Sequence, residues 1–197
     1  MRKLALLTWL LLPVLAGAYH YGPGQERLKL DDASTALKLA DAAVARGDHE
    51  SAILHYDDAM SFLPGEKIDE ARRIRLEKSK SQMEAKQLPA AHADLKGLVD
   101  ELVADGKGET NLAKEARAAL ANSQYYLTWL MRLEGVAREQ WEPEIEAARQ
   151  SLKLLADNAE ESGDSQAAKT HSEDLESVVR LARMDLKELQ GLPLPSQ

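Results

Sequence analysis

The sequence predicts an all-α protein made of antiparallel helix pairs, and three observations carry that prediction. Beyond residue 18 the chain is rich in Ala, Leu, Glu, Lys, Arg and Gln, residues that lose little on entering a helix. No segment alternates apolar and polar residues with the β-branched and aromatic enrichment of a strand. The stretch 36–64, ALKLADAAVARGDHESAILHYDDAMSFLP, reads as two short helices hinged at Gly47-Asp48. Ala40 and Ala43 on the first then face Ala52, Tyr56 and Ala59 on the second. Small side chains at those steps let helix axes approach closely, which is how stacked pairs build one continuous core.

The N-terminus is read separately. Arg2 and Lys3 precede an apolar run over 4–16, interrupted only by Thr8 and Pro13, and Ala16-Gly17-Ala18 follows. This is the order of a secretory signal peptide, with cleavage expected after Ala18. An uncleaved membrane anchor is the alternative. The run of 13 residues falls short of the ~20 that span a bilayer, and Tyr19, His20, Tyr21, Pro23 and Gly24 do not extend it, which favours cleavage. Export places the protein outside the cytoplasm, most simply in a bacterial periplasm, with secretion or N-terminal membrane anchoring as the other outcomes. The absence of cysteine closes the lipoprotein route, disulfides, thiolate catalysis and cysteine metal sites.

Removing residues 1–18 leaves 179 of 197 residues and takes away Arg2 and Lys3, so the net charge moves from −8 to −10. A chain of that size buries roughly 70% of its unfolded surface as a single domain, placed at 31–190. Its acidity argues against binding nucleic acid or anionic lipid, both of which call for a cationic face.

Residues 19–30 are expected as an extended leader and 191–197 as a short tail. Between them the pattern gives helices at 31–46, 49–63, 66–87, 89–105, 110–134, 143–162 and 165–190. Gly47 ends the first, and Asp48 caps the second by accepting from a free amide. Pro64-Gly65 ends the second. Pro89 and Pro143 are placed in first turns, where the missing N–H has no partner to lose. Gly106 and Gly108 loosen the chain before the fifth helix, a loop is expected over 135–141, and Gly163-Asp164-Ser165 makes another stop and cap. On the last helix Leu175, Val178, Ala182, Leu186 and Leu189 form one stripe, suited to closing an array whose final pair would otherwise expose an apolar face.

No catalytic or cofactor chemistry is legible. His20, His49, His55, His92 and His171 never pair at one-turn spacing, so no metal site is expected. Asp57-Asp58, Glu160-Glu161 and Glu173-Asp174 read as solvated helix faces, since a catalytic acid needs an apolar setting to raise its pKa. Phosphate loops and nucleophile elbows are absent. The chain reads as a non-enzyme without cofactor.

The segment 36–64 resembles a tetratricopeptide repeat, a helix-turn-helix unit of 34 residues. Leu39 falls at the family's leucine, Ala52 and Tyr56 at its alanine and aromatic, and Pro64 at its closing proline. Ala36, Ala40 and Ala43 depart from its tryptophan, glycine and tyrosine. Ser79, Ala91, Leu95 and Leu98 repeat the pattern more weakly, as do Leu120-Ala121 with Ala148, Leu152 and Leu155. The resemblance implies a tetratricopeptide-like α-solenoid of about three helix pairs plus a C-terminal capping helix. An irregular bundle holding one repeat-like hairpin fits the same composition.

In that family the first helix of each pair lines a concave groove for a partner protein or an extended peptide. Register with the first pair places Ser34, Leu37 and Asp41 there, then Arg73, Leu76 and Lys80, then Asn122, Tyr125 and Trp129 with Arg132. The implied partner-binding residues are Arg73, Lys80, Asn122, Tyr125, Trp129 and Arg132, a surface suited to an acidic or carboxylate-ended segment with an apolar anchor. Leu37 and Asp41 stand where the family's carboxylate-gripping groove carries lysine and asparagine, which argues against that grip. The stripe over 125–133 reads equally as a helix buried on all sides. The resulting expectation is an exported, non-enzymatic scaffold or adaptor. A membrane-tethered structural helical bundle, acting as a spacer in an envelope complex, is the alternative.

Overall fold

The structure, a computed structural model, describes Trp9, Leu11, Leu12 and residues 23–192. Every regular element among the described residues is helical. The helices are α1 (Pro23–Ala45), α2 (His49–Phe62), α3 (Ile68–Glu84), α4 (Leu88–Ala104), α5 (Asn111–Leu133), α6 (Arg138–Glu161), α7 (Ser165–Arg183) and α8 (Leu186–Gln190). The signal segment and its cleavage point lie almost wholly outside the described residues, as does the tail beyond residue 192. None of the described helices is long and apolar enough to cross a membrane.

The chain divides into two compact units, with the boundary at Ile74–Arg75. In the first, α1 and α2 form the expected hairpin. Ala40, Ala43, Ala52 and Ala59 are fully buried and Tyr56 nearly so, with Ala36 and Ile74 completing the cluster. Leu39, by contrast, is 49% exposed, so one residue behind the repeat resemblance points to solvent.

In the second unit α4 packs on α5, α5 on α6 and α6 on α7. One cluster joins Leu76 and Met83 of α3 to Leu88, Ala91, Leu95, Leu98 and Leu102 of α4 and to Ala113, Ala116 and Leu120 of α5. A second joins Ala121 and Trp129 of α5 to Trp141, Ile145, Ala148 and Leu152 of α6, Val178 and Leu181 of α7, and Leu189 of α8. Helix α5, 23 residues and hence about 35 Å long, serves both clusters, which is why its second half is apolar on nearly every side.

Local chemistry sets the boundaries. After α1 the chain turns through Gly47 at φ +71°, and the Asp48 amide reaches back to the Ala43 carbonyl, closing the helix end. Gly106, Gly135 and Gly163 repeat this stop. Between α3 and α4 the same turn is built on Lys86, at φ +62°, with the Gln87 amide bonded to the Gln82 carbonyl. Asp48, Thr110, Asp164 and Asp185 cap their helices through side-chain oxygens.

Three expectations are corrected. Residues 23–30 are helical rather than extended: Pro23 opens α1, where a proline has no hydrogen bond to forfeit, and good helix formers follow. Helix α6 begins at Arg138, so Pro143 lies inside it, Trp141 sits on the helix, and the loop shrinks to 134–137. The last helix breaks at Met184, where Asp185 caps a new turn through the Glu188 amide at 2.7 Å. That break turns Leu189 into the core and leaves Leu186 43% exposed.

Three stability tests follow from this packing and its turns. Ala52→Leu should lower unfolding free energy by about 1–3 kcal/mol in urea titration, because the hairpin contact has no room. Leu54→Ala, at a side chain 64% exposed, should stay within about 0.5 kcal/mol of the parent. Lys86→Gly should raise stability by up to about 1 kcal/mol, since a β-carbon in the left-handed region is disfavoured.

Candidate functional site

The residues expected to line one groove are distributed differently. Ser34, Leu37 and Arg73 do come together, in the first unit, around a groove of about 610 Å³ between α1 and the start of α3. Leu30, Ala33, Leu63 and Ile74 supply its apolar lining, and Asp69 and Glu70 stand at its edge. Glu70 is held by Lys67 at 3.0 Å, and that bond keeps its carboxyl below the ordinary range.

In the second unit Trp129 and Arg132 are core residues, 6% and 8% exposed. The Arg132 guanidinium donates to the carbonyls of Leu181 and Met184 and lies 4.8 Å from the centre of the Trp141 ring. It closes the open end of α7, whose last carbonyls would otherwise lack donors. Desolvation lowers its pKa, though a guanidinium stays charged. Neither residue can line a groove. Leu76, expected on the same inner face, is fully buried. Lys80 sits in ion pairs with Glu77 at 2.9 Å and Glu115 at 3.9 Å. Arg132 therefore turns into the core of the second unit, and Lys80 is engaged by two carboxylates on its surface.

Asn122 and Tyr125 meet around a smaller pocket of about 240 Å³ between α5 and α7. Both helices pack on α6 but meet each other only sparsely, which leaves a valley floored by Leu152. Helical spacing brings Asn122, Tyr125 and Tyr126 to it from α5, and Asp174, Ser177 and Val178 from α7. The two tyrosine rings stand 5.5 Å apart at 79°, forming an aromatic corner. Burial raises the Tyr125 hydroxyl, and burial with the charges of Glu84 and Asp174 raises that of Tyr126.

Asp174 was expected on a solvated face with Glu173. Glu173 does pair outward with Lys169 at 3.8 Å, but one helical step turns Asp174 to the pocket. Much of the residue is exposed, yet enough protein surrounds the carboxyl to strip part of its hydration. That loss raises its pKa, with His171 opposing and Glu173 reinforcing the shift. No hydrogen bond or ion pair reaches the Asp174 carboxylate among the described residues.

A second polar cluster escaped the sequence altogether. Glu144 on α6 accepts from Gln124 Nε2 of α5 at 3.1 Å and lies 3.1 Å from His92 Nε2 of α4, tying three helices together. Its members stand 52 and 20 residues apart in sequence, so no local spacing could announce it. No group of three or more potential metal ligands occurs among the described residues. No protein-family model matches this chain, and no curated protein matches it either.

Arg132→Ala should lower stability by about 1–3 kcal/mol by leaving two buried carbonyls without donors, and Arg132→Lys should restore little, as judged by urea unfolding. Asp174→Asn should act oppositely. A raised folded-state pKa means that the ionised carboxyl disfavours folding above its ordinary value of 3.8, and the penalty is relieved as pH falls through the shifted range. The variant should therefore melt higher than the parent at pH 7, with the gain vanishing in acid.

Proposed function

We propose that this chain is an exported, non-enzymatic adaptor of tetratricopeptide type that holds an apolar segment of a partner protein in the valley between α1 and α3. The observation that carries this reading is the meeting of Ser34, Leu37 and Arg73, chosen by repeat register alone, around a single groove. Its volume, about 610 Å³, lies within the range of sites that enclose a ligand group, roughly 300–1,000 Å³.

The alanine contact between α1 and α2 supports the repeat assignment, as does the order of packing within the second unit, where α4, α5 and α6 each rest on the next helix. Leu39 gives it no support. Leu30, one of the residues lining the groove, remains 36% exposed, which leaves apolar surface there for a partner to cover. The order of charge, apolar run and small residues over 1–18 supports export.

A photo-crosslinking residue at Leu37 should trap one discrete partner in the native host, and Arg73→Glu should reduce that adduct several-fold without loss of helical circular dichroism. Equal trapping from Glu50, on the exposed side of α2, or indifference to Arg73→Glu, would reject the groove. Mass spectrometry of the exported protein should find its first residue at Tyr19; an intact Met1 would favour a tethered spacer.

A further inference from the structure

The pocket between α5 and α7 belongs to the second unit and owes nothing to the groove proposed above. We infer that it binds a compact organic cation, a guanidinium or alkylammonium group, with Asp174 as counter-ion and the Tyr125–Tyr126 corner as the aromatic wall.

Four features point the same way. Asp174, an exposed residue, is part of the cavity lining, and its carboxylate receives no hydrogen bond or ion pair from the described residues. Two tyrosine rings at 79° flank the same space, and an aromatic face attracts positive charge through its quadrupole. Asn122 and Ser177 add oxygens that can accept from N–H groups. Leu152, Ala118 and Ala121 supply apolar surface on the floor, which lowers the local dielectric on that side of a charge–charge contact.

Size and sign exclude the other classes. A volume of about 240 Å³ is below the 300 Å³ or so at which drug-sized sites begin, but ample for the head of one side chain or a small amine. An anion would meet the Asp174 charge and two π faces. A neutral hydroxylated ligand would leave the Asp174 charge without a counter-ion and forgo the charge-assisted contact that a cation makes.

The surrounding charges are consistent with this assignment. His171 and Glu173 act on Asp174 from α7, Glu84 of α3 acts on Tyr126, and Arg180 acts on Tyr125. None of these forms an ion pair with the Asp174 carboxylate. The raised pKa of that group fits a carboxylate lacking its counter-ion.

The test uses the full chain, labelled with ¹⁵N, titrated with methylguanidinium and with a short neutral peptide containing one arginine. Saturable shifts should centre on the amides of Tyr125, Tyr126 and Ser177. Asp174→Asn should weaken binding at least about tenfold, as expected for loss of a charge-assisted contact in a partly desolvated site. Ser177→Leu, a change on the outer turn of α7 that plugs the pocket, should abolish it and guards against a folding defect in the first variant. Tighter binding of the peptide would identify a partner's side chain as the source, and equal binding a free small cation. Calcium chloride alone producing the same shifts would overturn the assignment. So would unchanged affinity in both variants, or no saturable shift by about 10 mM methylguanidinium.

Discussion

Close approach of helix to helix is the constraint on which this structure depends. With one phenylalanine and three tryptophans in 197 residues, the chain cannot fill its interior with aromatic bulk. It brings backbones together instead, over Ala36, Ala40, Ala43, Ala52 and Ala59 in the first unit and over Ala91, Ala113, Ala116, Ala121 and Ala148 in the second. A contact built on methyl groups tolerates no insertion, because interiors pack at crystal-like density and an added branch must displace backbone. The left-handed turns serve the same end. They stop α1, α3, α4, α5 and α6 within a residue or two and turn the chain back before the small residues fall out of register.

Such packing dictates where cavities form. When each helix rests on its successor, helices two apart share a neighbour without fully touching, and a valley opens between them. The valley between α5 and α7 of the second unit has this origin, since both rest on α6, and a separate groove lies between α1 and the start of α3 within the first unit. On the α4–α6 side the corresponding space is bridged by His92, Glu144 and Gln124. A valley crossed by hydrogen bonds holds helices in place, whereas one left open is available to a ligand.

The hairpin, the caps at Asp48 and Asp164 and most helix limits were legible because each depends on residues within one turn of each other. What failed did so for a physical reason in every case. Lys86 hid a turn because a lysine occupies the conformation that glycine announces elsewhere. Pro143 misplaced the start of α6 because tertiary packing of Trp141 holds a turn of helix ahead of a residue that locally disfavours it. Arg132 read as a groove cation because repeat register put it one turn beyond Trp129, and only the bare carbonyls at the end of α7, 49 residues away, reveal its role. The Asp174 pocket needs residues from α5, α6 and α7 and has no signature in any one of them.

Two carboxylates of the second unit, Glu144 and Asp174, show how structure and function can be told apart here. Glu144 accepts a hydrogen bond from Gln124 and faces His92, so its charge is satisfied by its own chain and ties three helices. Asp174 is more exposed and has no such partner among the described residues, and the protein packed around its carboxyl raises its pKa. Had the pocket served only packing, an asparagine or alanine at 174 would serve it better, since a desolvated charge without a counter-ion opposes folding. A charge that weakens the isolated fold makes physical sense where a cation from outside completes the pair, because the bound state then recovers the interaction that the free state lacks.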